Sequence, residues 1–438
     1  MSDKNGSEGR IQWSRFFKKL SPYMIQKGLL YLKHYGPREF WIRLHERFEP
    51  EEIPYGPWYA AYVPDQTVLD KQRKKKFAYA PLISVVVPAY RTPELFLRQM
   101  IDSLEAQTYE DWELCIANGS PEDQSMRKVL EEYSSRDRRV RWQELTENKG
   151  IAEYTNAAFA MAKGEFVGLL DHDDLLCKDA LAYMMQRLEE QDYLFLYTDE
   201  DKIDQTGTTV FEPNWKPDFN LDYLLSNNYI CHFSAIRADL MKKLQFRSNY
   251  DGAQDYDLFL RTVYEIGKEG PKDTEGRLLY PQAYMDRKIA HIPQICYHWR
   301  AHLGSTADNP QSKLYAYEAG KRALEDFARQ NGWQAEICHT NHLGFYRIDW
   351  KDIFVQRPDV VAVCSNECRR GRVAESGTLP GAKYGEHVFA GLKKRYSGYL
   401  HRASMTVDVT DPPLQQTIYR KDAEQKQGRI VYLPGSKQ

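Results

Sequence analysis

Between residues 81 and 170 four short apolar segments alternate with three amphipathic ones. This constrains the fold more than anything else in the chain. Ile83-Ser84-Val85-Val86-Val87-Pro88 is a β-branched run closed by proline, the pattern of a parallel strand buried on both faces. Residues 93–107, opened by Pro93, carry apolar side chains at helical spacing. A second strand reads over 113–117, stopped at Asn118-Gly119-Ser120, followed by a helix over 121–136. A third strand over 140–145, a helix over 151–163 and a fourth strand over 166–170 complete the series. A β-α-β-α-β-α-β order predicts an α/β fold with a doubly wound, mostly parallel sheet flanked by helices. In such sheets ligands bind beyond the carboxyl ends of the strands.

The fourth strand runs directly into Asp171-His172-Asp173-Asp174. Carboxylates this close repel one another unless a cation offsets them. Asp171 and Asp173 can converge on one hard cation, and oxygen ligands suit Mg2+ or Mn2+. An isolated pair of this kind also reads as a loop or a helix N-cap; its place at a strand end favours the metal. Asn148, Gly150 and Asn156 set polar groups beside the same mouth, and Tyr197-Thr198-Asp199-Glu200-Asp201 adds acid after the next apolar run. Gln254-Asp255-Tyr256-Asp257 opens a helical pattern, a suitable place for a base or an N-cap carboxylate. Tyr297-His298-Trp299-Arg300-Ala301-His302 combines an arginine suited to diphosphate with two histidines able to ligate metal, or is a polar turn at a sheet edge.

Bulk properties narrow the classes. A net charge of −2 provides no field for nucleic acid, which is not expected as a partner. Seven scattered cysteines imply no disulfide framework and fit a reducing cytoplasm. The polar start, MSDKNGSEGR, lacks the apolar core of a signal peptide, and no run approaches the roughly 20 apolar residues of a membrane-spanning helix. The chain is expected to be soluble, or peripheral at the inner face of a membrane. Residues 1–80 read as a helical arm and a linker. Over 11–50, Trp13, Phe16, Phe17, Leu20, Tyr23, Met24 and Leu30 recur at helical spacing among basic residues. They predict an arm packed on the main domain, with a membrane-touching amphipathic segment as the alternative. Residues 51–80, with the run Lys71-Gln72-Arg73-Lys74-Lys75-Lys76, read as a solvated linker, or as a contact for anionic headgroups. A helix is expected over 311–330 and a short strand over 360–363. Cys338, His339, His342, Cys364 and Cys368 fit no standard zinc spacing.

The order of the pieces resembles the family 2 glycosyltransferases with the GT-A fold, over roughly residues 80–310. The resemblance rests on ISVVVPAYRTPELFLRQMIDSLEAQTYEDWELCIANGS, NKGIAEYTNAAFAMAKGEFVGLLDHDDLL, YTDEDKID, GAQDYDLFLR and YHWRAHLGST. Bacterial enzymes that build O-antigen, rhamnan and other cell-surface polysaccharides are the most similar. The resemblance implies a GT-A-like domain over 81–330 and a nucleotide-diphosphate-sugar donor. Asp171 and Asp173 would hold Mn2+ or Mg2+ on the donor's diphosphate, with His302 a further ligand and Arg300 beside the diphosphate. Pro88, Ala89 and Tyr90 match the nucleotide-contacting stretch. Asn118 stands where the family often has an aspartate that reads the base, and Gln254 where it often has glutamate. Asp255 matches the catalytic base. The implied reaction is inverting transfer of a sugar to a hydroxyl of a cell-surface glycan or its lipid-linked precursor. GRVAESG, FAGL and YSGYLHR faintly resemble a second, reduced module within a small α+β region over 331–438. The rivals are a sugar nucleotidyltransferase and a non-catalytic nucleotide-sugar or glycan binding module. The first usually carries a Gly-rich phosphate loop after the first strand, which residues 88–93 are not; intact Asp171, Asp173 and Asp255 argue against the second.

Overall fold

The computed structural model describes residues 22–47, 55–147, 149–302, 314–382, 389–421 and 428–434. The arm positions Trp13, Phe16, Phe17 and Leu20, and Asn148 beside the mouth, lie outside the described residues.

The four expected strands form: β1 (Ile83–Ala89), β2 (Trp112–Asn118), β3 (Val140–Glu144) and β4 (Phe166–Leu169). Helices Glu94–Glu105, Gln124–Arg136 and Ile151–Ala160 connect them. β1 lies parallel between β2 and β4, and β3 extends β2. Every residue of β1 and β2 is buried. Alternation splits them between two apolar clusters, Val86 and Cys115 on one face, Val85, Val87, Leu114 and Ile116 on the other.

The other half of the sheet is mixed. It comprises β5 (Leu175–Leu176), β6 (Phe195–Ile203), β7 (Val210–Asn214), β8 (Ser234–Arg237) and β9 (Ile289–Arg300). The order is β3-β2-β1-β4-β8-β6-β9-β5, with β7 on β6. β8 runs antiparallel to β4 and β6, and β9 runs parallel to β6. The acids read from sequence as a cluster after an apolar run are inside β6, with Asp199, Glu200 and Asp201 all buried.

Of residues 51–80, read from sequence as a linker, the described part, 55–80, is largely helical. Tyr55–Tyr62 and Gln66–Lys74 are helices. Tyr55, Trp58, Tyr59 and Tyr62 fall at i, i+3, i+4 and i+7, and this aromatic stripe packs on Trp215 and Ile295. The basic run closes the second helix, Lys71, Arg73 and Lys74 lying in its last turn, where cations suit the helix dipole. The arm helix Pro22–Arg47 reaches the C-terminal region. Arg43 bonds Ser397 and lies 2.7 Å from His342, and Gly398 N donates to Glu46 at 2.7 Å.

Helix Leu314–Gln330 presents Ala319, Gly320, Ala323 and Phe327 to the interior. Beyond it come the hairpin β10 (Ala335–His339) and β11 (Tyr346–Trp350), then β12 (Val360–Cys364) and the hairpin β13 (Glu367–Arg369) and β14 (Arg372–Glu375). β15 (Val407–Asp408), β16 (Thr417–Tyr419) and β17 (Arg429–Tyr432) join β12 in the order β15-β17-β12-β16. Among the described residues no α-helix lies between β12 and its parallel partner β17. The region is packed into the main core: Met405, Val407 and Tyr432 share one apolar cluster with Tyr223 and Leu224. Arg357, fully buried, spans Asp222 and Asp359. Cys338 faces Asp349 and His339 pairs with Glu318, so the C-terminal cysteines and histidines do not gather a metal site among the described residues.

Candidate active site

β1 and β4 end at a cleft whose far wall comes from the chain before β8 and from the start of helix Gln254–Lys268. Pro88, Asp171, Cys231, His232, Gln254 and Asp255 line it, above an apolar floor of Val86, Leu169 and Phe259. The cleft is open to solvent and its volume is about 60 Å³.

Each of the three carboxylates at the end of β4 meets a different environment. Asp171 faces the cleft, 3.6 Å from His232 Nε2, and burial raises its pKa. Asp173 sits 2.8 Å from His302 Nε2 and near His172. Burial alone would raise Asp173, but the two histidines prevail and hold it at about 2. Asp174 is structural. It accepts from Tyr297 Oη at 2.5 Å and from Arg300 N at 2.7 Å, and burial beside Asp173 and Asp171 pushes it well above the carboxylate range. The repulsion evident in the sequence is therefore relieved locally, by the imidazoles of His232, His172 and His302 and by two carboxyls, Asp171 and Asp174, biased toward their neutral forms.

Asp255 opens helix Gln254–Lys268 and lines the cleft, its Oδ2 accepting from Asn228 Nδ2 at 3.0 Å. Asp257, two residues on, is buried and held by Arg247 Nε at 3.1 Å and by Arg261 Nε and a terminal nitrogen at 2.9 and 2.7 Å. The helical offset that separates the two carboxylates thus gives one to the cleft and the other to a buried ion pair.

Gly150 has φ of 88° at the start of helix Ile151–Ala160, and a Cβ there would lie 2.0 Å from Asp251 Oδ2. Asp251 accepts from Ala152 N at 3.1 Å, so glycine lets the acid reach the helix end. Tyr90 is half-buried, its ring stacked on Tyr154 at 6.3 Å. Asn118 is fully buried at the end of β2; its Oδ1 accepts from Ser120 N at 2.9 Å, and its Nδ2 has no partner among the described residues.

Three expected donor contacts are placed otherwise. Ala89 points into the apolar cluster opposite the cleft, because alternation along β1 gives Val86 and Pro88 the mouth. Asn156 is spent on the backbone of Phe246, donating to its oxygen at 2.9 Å and accepting from its nitrogen at 2.8 Å. Arg300 is fully buried behind the acidic loop. It donates to Asp173 O at 2.6 Å and Gln205 O at 3.0 Å and lies 4.5 Å over the Phe96 ring, so it braces the loop from beneath. Sequence reasoning missed Cys231 and His232. With Asp255 they offer a sulfur, an imidazole nitrogen and a carboxylate oxygen within 4.8 Å of one another. The available signal was Cys231-His232 one residue before the short strand β8.

Residues 84–245 match the family described as Glycosyl transferase family 2. An uncharacterised protein of Sinorhizobium fredii, y4gI, is 40% identical over 261 residues, which are 59% of this chain and 27% of that protein. O-antigen biosynthesis protein RfbC of Myxococcus xanthus is 30% identical over 290 residues, 66% of this chain and 21% of that protein. This chain therefore matches about a quarter of the length of these relatives. Among solved structures, S. aureus TarS in complex with UDP-GlcNAc superposes with a TM-score of 0.41 at 18% identity, covering 58% of this chain and 68% of that one.

Proposed function

We propose, from the match of residues 84–245 to glycosyl transferase family 2, that the chain moves a sugar from a nucleotide-diphosphate-sugar to a hydroxyl of a cell-surface glycan or its lipid-linked precursor, with inversion. The observation that carries this reading is the division of labour at the start of helix Gln254–Lys268. Asp255 shares one cleft with Asp171, while Asp257 is consumed by Arg247 and Arg261. Asp255 is the base that takes the acceptor hydroxyl's proton as it attacks the anomeric carbon. Asn228, donating to Oδ2, fixes the carboxylate's orientation.

Asp171, Asp173 and His302 are the ligands this reading assigns to a divalent cation. Asp173 and His302 already meet at 2.8 Å. The three do not gather within 4.8 Å of one another as Cys231, His232 and Asp255 do, so the loop closes on the ion when it binds. Two hard oxygen donors with an imidazole suit Mn2+ better than Mg2+. A bound cation supplies charge stabilisation to the departing diphosphate. Arg300 and Asp174 hold the loop that carries these ligands, through Asp173 O and Arg300 N. The similarity to the O-antigen biosynthesis protein of Myxococcus xanthus supports a cell-surface glycan as acceptor. Among the described residues no helix is long and apolar enough to cross a membrane, and the exposed cations Lys71, Arg73, Lys74, Lys75 and Lys76 support peripheral contact with the inner face.

Thermal shift with a nucleoside diphosphate tests the metal assignment. Mn2+ should deepen the stabilisation, EDTA should remove it, and Asp173→Asn should show no metal dependence while remaining folded. Equal nucleotide affinity in EDTA and Mn2+ would remove Asp171, Asp173 and His302 as ligands. For the membrane contact, the protein should pellet with anionic vesicles at low salt and be released at high salt; no pelleting at low salt would refute it.

A further inference from the structure

Cys177, His298 and Asp201 form a second chemical constellation, and none of them lines the cleft described above. Cys177 follows β5, its backbone fixed by Cys296 O, which accepts from Cys177 N at 2.9 Å, and by Gln107 Nε2, which donates to Cys177 O at 2.8 Å. Its Sγ lies 3.2 Å from His298 Nε2. His298 Nδ1 lies 2.5 Å from Asp201 Oδ1, and the other oxygen of Asp201 accepts from Tyr55 Oη at 2.5 Å. This is a nucleophile, a base and a group that orients the base, connected in that order. Asp201 is fully buried and fixes the proton of His298 on Nδ1, which leaves Nε2 to face the thiol. Tyr59 Oη, 3.1 Å from Nε2, is the other titratable group on that nitrogen. Burial opposes charge on His298, but Cys177 and Asp201 outweigh it and hold its pKa well above the ordinary histidine value.

The sulfur does not face solid packing. A cavity of about 190 Å³ opens on Cys177 and His298, walled by Tyr59, Tyr62, Leu176 and Ile295, with Lys178 and Asp179 the charged residues on its lining. Tyr59 and Tyr62 come from helix Tyr55–Tyr62, the segment that reads from sequence as linker. The space is mainly apolar and suits a compact, uncharged molecule.

We propose that Cys177 is a nucleophilic thiol, deprotonated by His298 and assisted by Asp201, that adds to small uncharged α,β-unsaturated carbonyl compounds entering this cavity. His298 Nε2 takes the thiol proton and the sulfur bonds to the β-carbon. The π electrons pass to the carbonyl as an enolate, and the enolate's α-carbon takes the proton from the imidazolium. The product is a thioether; nothing leaves and nothing is oxidised or reduced.

N-ethylmaleimide, a member of this class, is the probe. The full chain is labelled at pH 7 and each cysteine peptide is followed in time by mass spectrometry. Cys368, which is exposed, is the internal reference for an accessible thiol. Cys177 should react about tenfold or more faster than Cys368 despite being half-buried. His298→Gln should bring Cys177 down to the Cys368 rate or below, and Asp201→Asn should give an intermediate rate. The wild-type ratio decides the matter even if His298→Gln fails to fold. A Cys177 that is unlabelled, or labelled no faster than Cys368, overturns the proposal, as does a folded His298→Gln variant with an undiminished rate.

Discussion

The two halves of the large sheet bury their strands by different means. In β1 and β2 burial is mostly apolar on both faces, and the stabilisation is non-directional water exclusion. β6 is buried as deeply but contains Asp199, Glu200 and Asp201 in succession. Two are met from β9: His291 Nε2 lies 2.9 Å from Asp199, and His298 Nδ1 lies 2.5 Å from Asp201. Glu200 is met by Lys216 at 3.6 Å and by the backbone N–H of His232. An apolar strand accepts any well-packed neighbour. A charged strand in the same sheet requires particular partners, because an uncompensated buried charge costs more than a lost contact. The candidate active site lies where the halves meet, at the β4–β8 pair.

That contrast can be broken or sharpened by substitution. The largest expected effect is on turnover. Asp255→Asn should lower kcat by about 10² to 10⁴ with the fold intact. Asp257→Asn should instead reduce stability, because Arg247 and Arg261 lose their shared carboxylate. If Asp257→Asn lost turnover at unchanged stability while Asp255→Asn did not, the roles would be reversed.

Next is the buried charge of β6. Lys216→Met takes away the cation that faces buried Glu200, leaving it Asn214 Nδ2 and the His232 backbone N–H, and should cost up to about 3–5 kcal/mol in urea unfolding. Adding Glu200→Leu should recover most of that loss, since removing both charges of a buried pair is often nearly neutral. Leu114→Ala in β2 should cost about 2–5 kcal/mol through its cavity, with no polar second change able to restore it. Failure of the Glu200→Leu rescue would mean that β6 is held by packing, like β1 and β2.

The smallest effect is on the slope of stability with pH. Burial opposes charge on His291, but Asp199 and Asp218 raise its pKa above 6.5 in the folded state. Its contribution is therefore complete below about 6.5 and is lost as pH rises through the higher folded value. His401, outside the sheet, is the opposite case. Burial, then His342 and Arg43, lower it to about 3, so its contribution is present above about 6.5 and is lost as pH falls toward 3. One such proton changes stability by at most about 1.4 kcal/mol per pH unit. His291→Gln should flatten the alkaline limb of the unfolding profile and His401→Gln the acid limb; the opposite pairing would contradict these environments.

The sequence by itself determined the parallel half of the sheet and the acidic loop at its mouth. Strand patterns at residues 83–88, 113–117, 140–145 and 166–170 match β1 to β4 to within two residues, because a β-branched run between helix signals needs no distant information. It placed Asp171 and Asp255 among the candidates, and the family resemblance together with the helical offset favoured Asp255 over Asp257, although both sit in the first turn of one helix. Tertiary structure decided that separation through Arg247 and Arg261. It also turned Arg300 and Asn156 inward onto backbone atoms of Asp173 and Phe246, positions 127 and 90 residues away in the chain. It made a buried strand of YTDEDKI by bringing Lys216, His232, His291 and His298 to it, and a packed helix of Tyr55–Tyr62 by setting Trp215 against its aromatic face. Apolar periodicity is written locally. The partner of a charge or a polar atom is chosen by the fold, because electrostatic and hydrogen-bond energies depend on distances that only folding creates.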